Sequence, residues 1–188
     1  MTATRTHLAP SAAALALATG LWAGPAAAEF VAFGPTDPVA TPSEPVASID
    51  GAGVSVAADA TRPVLVHFFA TWCAPCREEL PALGRFAARQ GEGVRVLGVD
   101  LGEPASRVRG FLATLGVALP VALDEDRSLA RRFGVKVLPS TVALAPGGAA
   151  AAIAHGPVDW DADSTARMLA ALRAGNHNLP DHKSKHTQ

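Results

Sequence analysis

The run Trp72-Cys73-Ala74-Pro75-Cys76-Arg77 holds both cysteines of the chain and follows an apolar stretch, Val64-Leu65-Val66-His67-Phe68-Phe69-Ala70. A continuous apolar run of that length reads as a strand covered on both faces. Pro75 suits the first turn of a helix, where a missing N–H removes no ladder bond. The chain therefore passes from a buried strand into a helix at its cysteines. Two thiols at such a junction can open and close a disulfide without refolding the protein. No other cysteine exists to draw either into a separate crosslink. A structural zinc site needs four ligands and no second pair is available; two inert core cysteines are the remaining alternative.

Cys73, at the start of the helix, meets free N–H groups and the positive end of the helix dipole, which favour the thiolate. The thiolate is the nucleophile, so Cys73 is the expected attacking sulfur. Cys76, one turn deeper, is expected to resolve the mixed disulfide. Glu79 lies three positions further on, and Leu80, Leu83, Phe86 and Ala87 continue an apolar stripe. That spacing sets the carboxylate near the deeper thiol and towards the inner face. A buried acid there opposes a second negative charge and can exchange a proton with Cys76. The alternative is an exposed helix carboxylate paired with Arg77 or with a lysine or arginine elsewhere.

The rest of the chain frames this junction. Hydrophobic residues make up 49% and charged residues 18% of 188, a globular balance that excludes wholesale disorder. Sixteen basic against seventeen acidic residues leave a net charge of −1 and no basic stripe, so no nucleic-acid partner is expected. Residues 1–28 combine Arg5 with an uncharged Ala/Leu-rich run ending in Ala26-Ala27-Ala28, the pattern of a signal peptide, with an uncleaved inner-membrane anchor as the alternative. Either way the domain is exported. Residues 29–45, rich in proline, read as a linker. The domain is expected over 46–175, followed by a disordered polar tail over 176–188.

Within 46–175, Val46–Ile49 and Val54–Val56 flank Asp50-Gly51-Ala52-Gly53 as a hairpin. Helix from about Cys73 to Gln90, strand over Val94–Val99, helix over Ala105–Leu115 and a short strand over Pro120–Leu123 follow. A short helix capped by Ser128, strands over Thr141–Leu144 and Ala150–Ala154, and a helix over Thr165–Arg173 complete the order. This alternation predicts an α/β domain, a mixed sheet between helical layers. His67 reads as a satisfied core or edge histidine and His155 as a strand-end residue. His177, His182 and His186 in the tail suggest metal binding only weakly, and no metal site is assigned. No Gly-x-Gly-x-x-Gly follows a strand, so no nucleotide cofactor is expected and electrons must come from elsewhere.

Five further stretches accompany the cysteine block: Asp50-Gly51 through Val56, Val99-Asp100-Leu101-Gly102-Glu103, Pro120 to Asp124, Gly134-Val135-Lys136-Val137-Leu138-Pro139-Ser140-Thr141, and Gly156-Pro157-Val158-Asp159-Trp160. With Phe69 to Pro81, they make the chain resemble the thioredoxin superfamily, and more narrowly its exported thiol-disulfide oxidoreductases of the TlpA/ResA/DsbE type, over residues 49–172. The cysteine block is highly specific and the other stretches support it. The resemblance implies a thioredoxin-like mixed central sheet flanked by helices, with a TlpA-type N-terminal hairpin and central insertion.

It also implies a function: a periplasmic, monomeric reductase of protein disulfides acting through Cys73 and Cys76, with no cofactor. A membrane thiol protein would donate the electrons. Apocytochrome c or a copper chaperone for cytochrome oxidase would receive them. Glu79 matches the active-site acid of ResA-like proteins. Glu103 matches a glutamate near the site, although an ordinary first-turn helix carboxylate is the preferred reading. Pro139 matches a cis-proline facing the dithiol, next to which Leu138 can pair with a substrate peptide. Trp72 is expected to shield the disulfide and offer a flat contact surface, with core packing as the alternative. The rival functions are a copper-binding carrier and a disulfide-forming oxidase.

Overall fold

The apolar run and the dithiol helix sit at the middle of the architecture. A computed structural model of the chain describes residues 27–32, 41–42, 44–57, 59 and 61–175. Most of the expected signal or anchor segment, much of the linker and the whole histidine-bearing tail lie outside the described residues. The elements, in chain order, are β1 (Val31–Ala32), β2 (Val64–Phe69), α1 (Ala74–Gln90), β3 (Arg95–Asp100) and α2 (Ala105–Leu115). Then come β4 (Val121–Leu123), α3 (Ser128–Arg132), β5 (Ser140–Leu144), β6 (Ala150–His155) and α4 (Asp163–Arg173). They build one six-stranded sheet in the order β1-β6-β5-β2-β3-β4. β3 pairs in parallel with both β2 and β4, whereas β5 runs antiparallel to β2 and to β6. The expected mixed sheet is present, and the fold is thioredoxin-like.

Why β2 tolerates no polar face follows from what covers it. All six of its residues are buried, and their side chains alternate between two cores. Leu65 and Phe69 join Leu80, Leu83, Phe86, Trp160, Met168 and Leu172 on the side of α1 and α4. Val64, Val66 and Phe68 join Leu97, Val99, Leu129, Phe133 and Val142 on the side of α3. Each fully buried Leu or Phe contributes about 1.5–3 kcal/mol by leaving water, so the strand that leads into the dithiol helix is firmly held.

Local differences from the sequence reading have physical causes. The N-terminal hairpin contracts to one antiparallel bridge, Val46 with Val54, closed by a pair of backbone hydrogen bonds of 2.9 and 2.8 Å. Ser48 bridges to Ala122 of β4 instead, so the segment spends its remaining hydrogen bonds on the sheet edge. Val31–Ala32, read as linker, pairs with Ile153 and Ala152 at the opposite edge. The cap of α3 is not Ser128. The carboxylate of Asp124 accepts from the Leu129 and Ala130 N–H groups at 3.0 and 2.9 Å, satisfying the free donors of the first turn. α2 and β4 stand between β3 and α3. Among the described residues no helix is long and apolar enough to cross a membrane.

Candidate active site

Cys73 is the N-cap residue of α1, with extended backbone angles (φ −83°, ψ 108°) and Pro75 in the first turn. Its sulfur accepts from the Cys76 N–H at 3.3 Å, so one free donor of the helix start points at the sulfur. The two cysteines form a disulfide with a Cα–Cα separation of 5.3 Å. Neither sulfur lies open on the surface. Cys76 is fully buried and Cys73 is 6% exposed, more enclosed than a solvent-facing sulfur would be. Cys73 does line a cleft of about 670 Å³, bounded by Trp72, the loop at Leu101, α3 and the segment from Val135 to Leu138. That cleft gives a partner's sulfur an approach to Cys73, which lines it, whereas Cys76 does not.

Trp72 is 65% exposed, which excludes the core-packing alternative and leaves its ring on the cleft wall. The Leu138-Pro139 peptide bond is cis, the state the resemblance implies for Pro139. Leu138 borders the cleft, while Pro139 is buried.

Glu79 lies on the inner face of α1, buried to 6% exposure. This excludes an exposed pair with Arg77, whose guanidinium instead lies over the Phe111 ring at 5.2 Å. One carboxyl oxygen accepts from the Trp160 indole N–H at 2.7 Å and from the Val158 N–H at 3.1 Å. The other oxygen has no hydrogen-bond partner. Burial pushes the acid up to about 7, against the opposing pull of those two donors. A group of this kind changes its proton near neutral pH, which suits proton exchange in a buried site. The sequence singled out the Val158-Asp159-Trp160 segment without a role. Its two donors to Glu79 give it one, and nothing in linear spacing links positions 79 and 160.

Glu103 departs from its preferred reading. It precedes α2 rather than forming its first turn, and it is buried. Its carboxylate accepts from the Thr71 N–H at 2.5 Å and the Thr71 hydroxyl at 2.6 Å, tying the β3–α2 loop to the residue two before Cys73. The Glu103 N–H in turn donates to buried Asp100 at 2.9 Å. Burial works to raise Glu103, but the Thr71 donors outweigh it, with help from Asp100 and Arg107, and hold it below the usual range. Burial raises Asp100, reinforced by the negative charge of Glu103, so the pair shares a proton more readily than it carries two charges. The sequence signal for this pair was present in Asp100-Leu101-Gly102-Glu103, but its partner Thr71 lies on another element.

His67 is a core histidine, as expected, but it is only half satisfied. Its Nδ1 lies 3.0 Å from the Thr141 hydroxyl, its ring stacks on Phe69 and meets Trp160 edge-on, and Nε2 has no partner. Burial lowers its pKa to about 3, so the ring is neutral. His155 ends β6 and pairs with the Ser140 hydroxyl at 3.1 Å.

Known proteins are similar to this chain in sequence and in fold. The chain is 34% identical over 88 residues to the thiol-disulfide oxidoreductase ResA of Bacillus subtilis, a match covering 46% of this chain and 49% of that protein. The chain thus spans about half the length of the curated relatives it matches. Among solved structures, a thiol:disulfide interchange protein of Chlorobium tepidum is similar at 26% identity and TM-score 0.61, over 70% of this chain and 96% of that one. A secreted thiol-disulfide isomerase of Corynebacterium glutamicum shares the fold at 20% identity and TM-score 0.66, over 80% of this chain and 95% of that one. The ResA-like resemblance expected from the cysteine block is met. The model of the AhpC/TSA family matches residues 40–151, which run from ahead of the dithiol helix into β6, and the chain belongs to that family.

Proposed function

We propose that the chain is an exported thiol-disulfide oxidoreductase that reduces protein disulfides outside the cytoplasm. The observation that carries this reading is the placement of the dithiol. Cys73 caps α1 and opens on a cleft, while its bonded partner Cys76 is sealed behind it.

In the dithiol form, the Cys73 thiolate attacks one sulfur of a partner disulfide. A Cys73–partner bond forms, the partner S–S bond breaks, and the departing sulfur takes up a proton. The Cys76 thiolate then attacks the Cys73 sulfur, closing Cys73–Cys76 and releasing the second partner thiolate, which is protonated in turn. Two electrons and two protons pass to the partner. A dithiol reductant restores the starting state. Glu79 serves as the buried acid that holds the proton exchanged with Cys76, and Trp72, Leu138 and Pro139 form the surface on which the partner docks. Residues 1–28 direct export, the 29–45 linker contributes β1 to the sheet edge at Val31–Ala32, and 46–175 carry the reaction as a monomer. The membrane thiol donor and the apocytochrome c or copper-chaperone substrate belong to the same proposal and rest on the family resemblance of the sequence alone.

Trapping tests it. Cys76→Ser cannot close the internal disulfide, so partner proteins should accumulate as mixed disulfides on Cys73, released by dithiothreitol and absent from Cys73→Ser. Equal capture by both variants would contradict the assignment.

A further inference from the structure

The wall of the cleft beside Cys73 carries a charge that the overall composition conceals. Arg127, Arg131 and Lys136 line it, and among the described residues no carboxylate does, although the whole chain has a net charge of −1. Other cations are used internally: Arg62 pairs with Asp59 and Glu92, Arg89 with Asp161 and Arg107 with Glu103. Arg131 donates to the Asp126 carbonyl at 2.7 Å. Arg127 and Lys136 are exposed and have no ion pair among the described residues. The same lining carries apolar surface. Trp72 and Val137, at 65% and 52% exposure, are two of the three large hydrophobic residues exposed among the described residues, and both line this cleft.

We propose that this cleft selects partner proteins whose reactive disulfide is flanked by aspartate or glutamate, with Arg127 and Lys136 as the selecting residues. The proposal rests on the thiol-disulfide reading above and adds the chemistry of the partner. The occupant is an extended protein segment. An apolar side chain beside its cysteine covers Trp72 and Val137, and carboxylates on either side meet the two unpaired cations. Charges on the wall of a partly apolar cleft raise the encounter rate of a complementary partner and suppress like-charged ones, more strongly at low salt.

The test uses two synthetic peptides, each closed by an internal disulfide and identical except for glutamate or lysine flanks, with the full chain in its dithiol form. The readout is the ratio of their second-order exchange rates. Wild type should reduce the glutamate peptide about tenfold faster at low ionic strength, and the ratio should approach one as salt shortens the screening length to about 3 Å near 1 M. R127Q/K136Q should bring the ratio to within about twofold, and R127E/K136E should invert it. Circular dichroism verifies that each variant is folded. A wild-type ratio near one at low salt, or a ratio unchanged in both variants, overturns the selectivity. The neutral bis(2-hydroxyethyl) disulfide separates the two levels: if wild type reduces none of the three disulfides, the thiol-disulfide reading itself fails and the selectivity falls with it.

Discussion

Glu79 carries the clearest conflict between two physical effects. Two donors favour its charged form, but burial prevails and lifts the acid from 4.5 to about 7. The stability this protonated group contributes is fully present below 4.5 and is lost as pH rises through about 7, because the unfolded chain has already released that proton. Glu79→Gln keeps an acceptor for Trp160 and Val158 and removes the titration. The variant should therefore gain on wild type across this window, by about 3 kcal/mol in total at 1.36 kcal/mol per pH unit, measured as urea unfolding at successive pH values. A difference independent of pH would show that folding does not raise the acid above its ordinary value. The same substitution should remove a neutral-pH inflection from the rate of disulfide reduction; an unaltered profile would exclude Glu79 as the proton holder. Thr71 offers a second residue-scale test. Thr71→Val deletes the hydroxyl that the buried Glu103 carboxylate accepts from at 2.6 Å. Charge-assisted bonds of this type are worth about 1.5–3 kcal/mol, and urea unfolding at pH 7 should lose that much. A change within experimental scatter would mean that the Thr71 N–H alone satisfies the acid.

At the scale of elements, α3 forms part of the cleft and depends on a residue outside itself. Five residues are too few to hold a helix by propensity. The Asp124 carboxylate, by accepting from Leu129 and Ala130, supplies what the helix lacks. Asp124→Ala should cost about 1–2 kcal/mol and speed amide exchange at Leu129 and Ala130 selectively. Uniform exchange across the domain would refute this capping role. The sequence placed α3 correctly but credited Ser128, because a capping side chain usually lies directly at the helix start, whereas this one reaches from four residues earlier. The same limit recurs elsewhere. β2 and α1 were legible because their apolar period is local and strong. The hairpin contracted because its hydrogen bonds were better spent on the distant edge of β4. Glu79 was legible as an inward-facing acid, but Trp160, the donor that fixes it, is brought close only by the fold.

At the scale of the whole molecule, two cores on opposite faces of one sheet hold β2, and β2 aims the dithiol helix at a cleft. Everything beyond this arrangement serves to place one sulfur at an opening and its partner behind it. Cys73 at 6% exposure and Cys76 at none give that asymmetry its physical form. It is tested by reducing the protein, adding limiting iodoacetamide, and following each cysteine by mass spectrometry of peptides. The account predicts that Cys73 is alkylated roughly tenfold or more ahead of Cys76, since reactivity follows thiolate character and access. Alkylation of Cys76 first, or of both at the rate of a free peptide cysteine, would contradict it.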